Sequence, residues 1–140
     1  MSIDDIRSDF ELLDAWEDRF RYVMELGRAL PELPDALRAD ANKVRGCASQ
    51  VWLSSTVTPS PDGPRMTFVG DSDSHLVKGL IAVLFKLYDG KTASEILATD
   101  AHAILKDLGL EQALTPQRSN GLASMVQRIR ADASAAAGGV

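Results

Sequence analysis

The chain has a single cysteine, Cys47, only two histidines, His75 and His102, and no surplus of basic residues. A lone cysteine cannot close an internal disulfide, and it cannot by itself build a thiolate metal site. The histidines do not rescue a hydrolase or transferase triad, because neither has an obvious orienting carboxylate. His75 falls in the first turn of an expected helix, where a cation is disfavoured, and His102 on the face of a short one, so both read as surface or boundary residues. Lys and Arg number 15 against 20 Asp and Glu, a formal charge of −5, with no Lys/Arg-rich arm, which argues against a nucleic-acid partner. The longest apolar stretch, Leu80 to Phe85, is far too short to span a bilayer, so no membrane role is expected. Met1-Ser2-Ile3-Asp4-Asp5 has neither the positive nor the apolar region of a secretory signal, and with one cysteine the expected location is cytoplasmic. There is no phosphate-cradling glycine loop, no helical His-Glu-x-x-His pair and no Cys-x-x-Cys couple, which excludes a dithiol redox enzyme. Asp71 and Asp73 alternate with Ser72 and Ser74, a pattern that suits helix capping better than a cation site.

What is present describes one ordinary globular domain. At 140 residues, 45% hydrophobic and 25% charged, the chain is long enough to bury a core without staples. Ser2 with Asp5 resembles a capping pair, and Ile3, Ile6, Phe10 and Leu13 repeat at helical spacing. Asp14 followed by Glu17 opens a second helix with the face Trp16, Phe20, Val23, Met24, Gly27 and Leu30, ended by Pro31 and Pro34. Glu32 to Lys43 has no clear period. From Gln50 to Thr58 the period becomes two, with Val51, Leu53 and Val57 on one face. After the turn Pro59 to Pro64, Arg65 to Gly70 alternates with Met66 and Phe68 inward, which makes a hairpin. A lone hairpin is marginal, so it is expected to pack on helices or to gain a third strand near Asn42 to Arg45. The next helix runs to about Asp89 and is apolar around most of its circumference, hence central. Short helices follow at Thr92-Ala93-Ser94-Glu95, a capping box, and at Asp100 to Leu108, closed by Gly109. Thr115 with Pro116 opens the last helix, with the face Leu122, Met125, Val126 and Ile129. The predicted fold class is α+β: a small antiparallel sheet of two or three strands packed against helices. The domain is expected to cover residues 1–132, with 133–140 a flexible, fraying tail.

Cys47 sits in Val44-Arg45-Gly46-Cys47-Ala48-Ser49-Gln50-Val51-Trp52-Leu53. It is either a small buried hydrophobe or a thiol used for its reactivity. Gly46 permits a turn or a close approach, basic Arg45 lies two residues back, and a strand begins just after, which favours reactivity. The thiolate is the nucleophile, so a lowered pKa or a nearby base is required. The candidate helpers are Arg45, the amide groups around Gly46, and the N-terminus of the helix that starts near Ser72. A peroxidatic cysteine, or a redox sensor, stays open because an outside thiol can resolve a sulfenic acid. So does an interaction module with an inert cysteine.

The run Gly46-Cys47-Ala48-Ser49-Gln50-Val51-Trp52 resembles the active-site segment of the SufE/CsdE family of sulfur-acceptor proteins. Four further stretches match in order: Leu26 to Leu33, Gly70 to Ser74, Val77 to Val83 and Leu114 to Leu122. The resemblance implies an α+β fold shared with IscU-like scaffolds, without the extra cysteines a scaffold uses to hold a cluster. It also implies that the protein accepts persulfide sulfur on Cys47 from a pyridoxal-phosphate cysteine desulfurase of the SufS/CsdA type. It would stimulate that enzyme and pass the sulfur toward the scaffold complex where iron–sulfur clusters are assembled. By the same resemblance the protein is an accessory and not itself an enzyme. It needs no cofactor beyond the transient persulfide, because the pyridoxal phosphate belongs to the partner. A weak homodimer stays open. Similar proteins keep this cysteine at a loop tip, tucked into an apolar pocket. Arg45, Gly46, Asp73 and Arg118 are the candidates for contacting the partner or supporting the loop. The competing roles are a helix cap for Asp73 and a surface ion pair for Arg118. Ala48 and His75 depart from the pattern at positions the role does not need.

Overall fold

The computed structural model describes residues 2–47 and 49–138, with nothing of the Glu111 side chain. Ala48 and the last two residues of the expected tail therefore lie outside the described residues.

The sequence supplies one segment too apolar to lie on a surface, and the rest of the chain covers it. Helix α3, His75–Tyr88, buries ten of its fourteen residues, as the expectation of a central helix requires. The Ser74 hydroxyl caps its N-terminus by accepting the Val77 N–H. Its other end is tied to the sheet: the Asp89 carboxylate accepts the Phe68 N–H and the Gly90 N–H donates to the Met66 carbonyl.

Helix α1 (Ile3–Glu11) opens with the expected capping box between Ser2 and Asp5, and buries Ile6 and Phe10. Helix α2 (Trp16–Arg28) lies along α3 more extensively than any other helix does. Its N-cap is Ala15, with no side-chain cap, so the start expected from Asp14 is displaced by one residue. The α2–α3 approach is set by two glycines. A Cβ on Gly79 would fall 2.2 Å from the Val23 carbonyl oxygen, and one on Gly27 would fall 2.6 Å from the Gly79 amide nitrogen. Backbone meets backbone there, which only glycine allows.

The hairpin consists of β1 (Val51–Thr58) and β2 (Arg65–Ser72), antiparallel, with Val51 opposite Ser72 and Thr58 opposite Arg65. Val51, Leu53, Met66 and Phe68 face the core, while Val57, expected on that face, has run past its cover and is 46% exposed. The third strand is not formed among the described residues. Its place is taken by one bridge, Lys43 to Trp52, with the Val44 N–H donating to the Val51 carbonyl at 2.8 Å. Two 3-10 turns, Asp35–Leu37 and Asp40–Asn42, fill the aperiodic stretch before it and are too short to leave a period.

Helices α4 (Ala93–Ala98) and α5 (Ala101–Asp107) form where the capping residues Thr92 and Asp100 place them. Gly109, in the left-handed region at φ +75°, then turns the chain into a one-turn helix α6 (Leu110–Ala113) that has no counterpart in the sequence reading. Helix α7 spans Pro116–Gly138. It does not end near Asp132: Ala133 is fully buried, and the alanines after it, the strongest helix formers, continue the helix to Gly138. The packed chain thus extends past the boundary drawn from composition.

The α2–α3 contact predicts a specific weakness. Gly79→Ala is expected to destabilise by roughly 3 kcal/mol, the upper range for overpacking, and to lower the melting temperature by about 10 °C. Thermal unfolding by circular dichroism measures it, and a fall of under two degrees would contradict the close approach.

Candidate functional site

Cys47 precedes β1 by four residues, in a loop without regular structure that the chain holds at both ends. At the entry, the Lys43–Trp52 bridge continues the sheet outward. At the exit, Gln50 and Asp73 extend the β1–β2 ladder by one more pair. The Gln50 N–H donates to the Asp73 carboxylate at 3.0 Å, and the Asp73 N–H donates to the Gln50 carbonyl at 3.3 Å. The helix cap considered for Asp73 belongs instead to Ser74, which leaves the Asp73 carboxylate for the loop.

Helix α7 is the floor of the loop. Gly46 has φ +88°, a conformation that favours glycine, and a Cβ there would also fall 2.7 Å from the Ser124 hydroxyl oxygen. Gly121 is buried, and a Cβ built on it would stand 3.5 Å from the Cys47 sulfur. Small residues on this face of α7 therefore let the loop lie close upon it.

The half-buried Cys47 borders a cavity of about 70 Å³ whose walls come from α3 (Val77, Leu80) and α7 (Arg118, Gly121, Leu122, Met125). Most of that wall is apolar. The thiol donates to the Gly121 carbonyl, with sulfur and oxygen 3.6 Å apart. Burial pushes the Cys47 pKa above the usual thiol value. A hydrogen bond to a carbonyl acceptor favours the protonated form as well, since a thiolate has no proton to donate. Of the helpers expected from sequence, Arg45 borders a different hollow from the one beside the thiol.

The candidate residues are thus separated by geometry. Arg118 lies in the cavity wall with Cys47, and its guanidinium donates to the Ser74 hydroxyl at 3.4 Å, linking the first turn of α7 to the cap of α3. Gly46 sits at the crest of the loop over Ser124, and Asp73 holds the loop's exit. Arg45 is exposed and points away from the cavity into a separate hollow.

Sequence reasoning missed the residues beside this core. Asp71 is one: its carboxylate pairs with Arg38 at 2.6 Å and with Lys78 at 3.4 Å. Burial alone would raise its pKa, but the Arg38 hydrogen bond, the Ser72 amide and the two cations outweigh that and hold it below the usual carboxylate value. Arg38 also lies 5.4 Å from the centre of the Trp52 ring, so the start of β1 is braced from its open face. Gly121 and Ser124 are further omissions. Their only signal was position: they lie one residue before Leu122 and one before Met125, two members of the α7 face that was read as core. Among the described residues, no three His, Cys, Asp or Glu side chains gather to hold a metal ion. No helix among them is long and apolar enough to cross a membrane.

Comparison with known proteins follows the same outline. The family model SufE, the Fe-S metabolism associated domain, matches residues 4–133. An uncharacterized SufE-like protein of Rhizobium etli is 56% identical over 132 residues, 94% of this chain and 89% of that protein. One from Rhizobium meliloti is 51% identical over 132 residues, covering 94% of each. The sulfur acceptor protein CsdE of Escherichia coli is 41% identical over 124 residues, 89% of this chain and 82% of its own. A hypothetical protein from Thermus thermophilus, solved in solution, superposes with a TM-score of 0.75 at 20% identity, covering 97% of this chain and 98% of its own, which supports the α+β fold alone.

The protonated, half-buried thiol makes two expectations measurable. Alkylation of Cys47 by iodoacetamide at pH 7, followed by mass spectrometry, should be several-fold slower than that of a free cysteine peptide, because both thiolate fraction and access are reduced. Its rate should keep rising beyond the pH at which the peptide levels off; a profile levelling off below that pH would contradict the raised pKa. Asp73→Ala removes the carboxylate that accepts the Gln50 amide, and should quicken the same alkylation about threefold to tenfold, the weight of one hydrogen bond of about 1 kcal/mol. An unchanged rate would show that Asp73 does not restrain the loop.

Proposed function

The chain belongs to the SufE family, and on that basis we propose that it is a sulfur acceptor and carrier serving iron–sulfur metabolism, with Cys47 as the atom that holds the sulfur. The observation that carries this reading is the placement of the only thiol. It lies on a loop held at both ends, beside a cavity, with no second cysteine anywhere in the chain.

The chemistry is thiol exchange at a sulfur–sulfur bond. The Cys47 thiolate attacks the outer sulfur of a persulfide on the active-site cysteine of a pyridoxal-phosphate cysteine desulfurase. One S–S bond forms as another breaks, the donor cysteine leaves as a thiolate, and Cys47 becomes the persulfide. No net oxidant is needed. Relieving the donor of its sulfur frees it for another turnover, so the carrier stimulates the desulfurase as a co-substrate. The pyridoxal phosphate stays with the partner, and this chain contributes the thiol, its loop and its cavity. Delivery to an iron–sulfur scaffold repeats the exchange in the other direction.

Three features support the role. The cavity of about 70 Å³ exceeds the ~30 Å³ share of a water molecule, so it has room for one extra sulfur beside Cys47. Its lining of Ser49, Val77, Leu80, Gln117, Arg118, Leu122 and Met125 offers no second thiol to take the sulfur away. The absence of a resolving cysteine prevents early discharge as an internal disulfide. A peroxidatic role, by contrast, calls for a stabilised thiolate, and the burial that raises the pKa of Cys47 works against it. Arg118 and Asp73 serve as positioning residues, one closing the cavity and one holding the loop's exit. Cytoplasmic residence suits a thiol that must stay reduced between transfers.

The decisive experiment mixes the protein with a cysteine desulfurase and L-cysteine. Intact-mass spectrometry should show one or more sulfur atoms added to Cys47, removable by reductant, and alanine production should rise by tenfold or more. Cys47→Ser should remove both effects. Stimulation that survives this substitution would sink the proposal, and peroxide consumption without any desulfurase would favour the peroxidase.

A further inference from the structure

The cysteine loop separates two hollows. Cys47 and Ser49 border the apolar cavity, whereas Lys43, Val44 and Arg45 border an open hollow of about 480 Å³ on the other side. Helix α7 floors both. Arg118, Gly121, Leu122 and Met125 face the cavity, and Ser124, Gln127 and Arg128 face the hollow. Gly46, crossing over Ser124, is the ridge between them.

The charge in that hollow runs against the charge of the molecule. The chain as a whole carries −5. The hollow gathers Lys43, Arg45 and Arg128 against the one carboxylate of Asp40. Six cations outside it, Arg7, Arg21, Arg28, Arg38, Arg65 and Lys78, have a carboxylate within ion-pair distance. Among the described residues, Lys43 and Arg45 have none. Arg128 is held in place by Asp132 at 3.2 Å and by donation to the Ala41 carbonyl at 2.9 Å, so it forms a fixed, partly neutralised wall. Two cations without a carboxylate partner, set in a concavity, focus a positive field on a chain whose net charge is negative, and such fields govern encounter rate and orientation.

Resting on the sulfur-acceptor reading, we propose that this hollow is the docking site for an acidic segment of the protein that donates sulfur to Cys47. The position supports that occupant. Arg45 is two residues from the reacting cysteine, so a partner seated against it has its own reactive group beside the loop crest. The size supports it too, because the hollow accommodates several side chains of an extended segment rather than a single ion. Lys43 and Arg45 set where the partner sits, and Cys47 carries the chemistry. Charge removal in the hollow should therefore act on affinity before it acts on the transfer step.

The test titrates a cysteine desulfurase with wild-type carrier and with the double variant Lys43→Glu, Arg45→Glu, reading alanine production and sulfur on Cys47. At low salt the half-saturating carrier concentration should rise about tenfold, while the rate at saturation falls less than twofold. Raising the ionic strength should close the gap, because the salt screens the encounter. Lys43→Gln with Arg45→Gln should give a smaller shift, about threefold, and keeps the test valid if the reversal perturbs folding. Lys86→Glu, an exposed cation on α3, is the control and should titrate as wild type. A peptide of eight glutamates should compete with the wild-type carrier and not with the double variant. Inorganic polyphosphate competing better than the peptide would assign the hollow to a phosphate chain and overturn the proposal. Normal sulfur loading with unchanged half-saturation in both double variants would overturn it alone. A Cys47 that takes no sulfur at any carrier concentration would overturn the functional reading, and this proposal with it.

Discussion

The structure depends on how closely α2 can lie against α3. At Gly79 the two backbones meet with no room for even a Cβ, since that atom would fall 2.2 Å from the Val23 carbonyl oxygen. This contact covers one side of a helix that is apolar almost all round, and leaves its other sides for the hairpin and α7. Had α2 stood a side chain's width further off, the interior beneath Val23 would contain a void, and interiors at crystal-like density do not tolerate one cheaply. Once α3 is fixed, its N-terminal turn is fixed as well. Val77 and Leu80 then stand where they wall the cysteine cavity, and Ser74 stands where Arg118 reaches it. The site thus takes its position from a contact between glycines whose chemistry is entirely backbone.

The second dependence is the small-residue face of α7. Gly121 and Ser124 lower the helix surface just where the loop crosses, so Gly46 and Cys47 can lie on it. Close approach brings the thiol to the Gly121 carbonyl and removes it from water, and both effects favour the protonated sulfur. Among the described residues, the loop is held by a backbone bridge at Lys43, by the pairing of Gln50 with Asp73, and by the Cys47 thiol on the Gly121 carbonyl. Such an element opens more easily than the sheet it extends, because its free energy of release is a small part of the global stability. Rigid support and a releasable loop coexist because they rest on different contacts.

Much of this could be read from the residues, for definite reasons. The helix starts with capping boxes, Ser2 and Thr92, were visible because their residue type and spacing are themselves the mechanism, whereas the run Asp71 to Ser74 offered several caps and only the structure selects Ser74. Helix α2 has no such cap, and the start expected at Asp14 was displaced. The inward face of the hairpin was visible at Val51, Leu53, Met66 and Phe68 but misled at Val57, where alternation continues after the covering helices have ended. The expected third strand shrank to a single bridge because pairing depends on where the chain arrives in space, which no local pattern records. In the site, Cys47 stood out by its solitude, and the five family-like stretches named Gly46, Asp73 and Arg118. The cavity and the hollow did not stand out, since each is assembled from segments far apart in the chain. Gly121 in particular reads as an ordinary helical glycine until Cys47 is placed beside it.

A raised thiol pKa looks at first like a poor choice for a sulfur acceptor, but the two consequences of that shift differ in size. Each unit of increase lowers the thiolate fraction near neutral pH about tenfold, while raising the nucleophilicity of whatever thiolate exists by roughly threefold, from a Brønsted coefficient of ~0.4–0.5. The first effect outweighs the second, so a thiol held as Cys47 is held should react slowly with small disulfides and oxidants. The penalty is not intrinsic to the sulfur, since it comes from burial against α7 and from the hydrogen bond to the Gly121 carbonyl. Displacing the loop from Gly121 and the cavity wall removes the penalty. On the proposed function, the cation-lined face of the loop is where a donor engages it, so activation and the arrival of the correct partner are one event. Selectivity then comes from the state in which the thiol is kept rather than from added catalytic groups. A chain with no second cysteine is suited to that arrangement, because a second thiol would let sulfur leave without the partner.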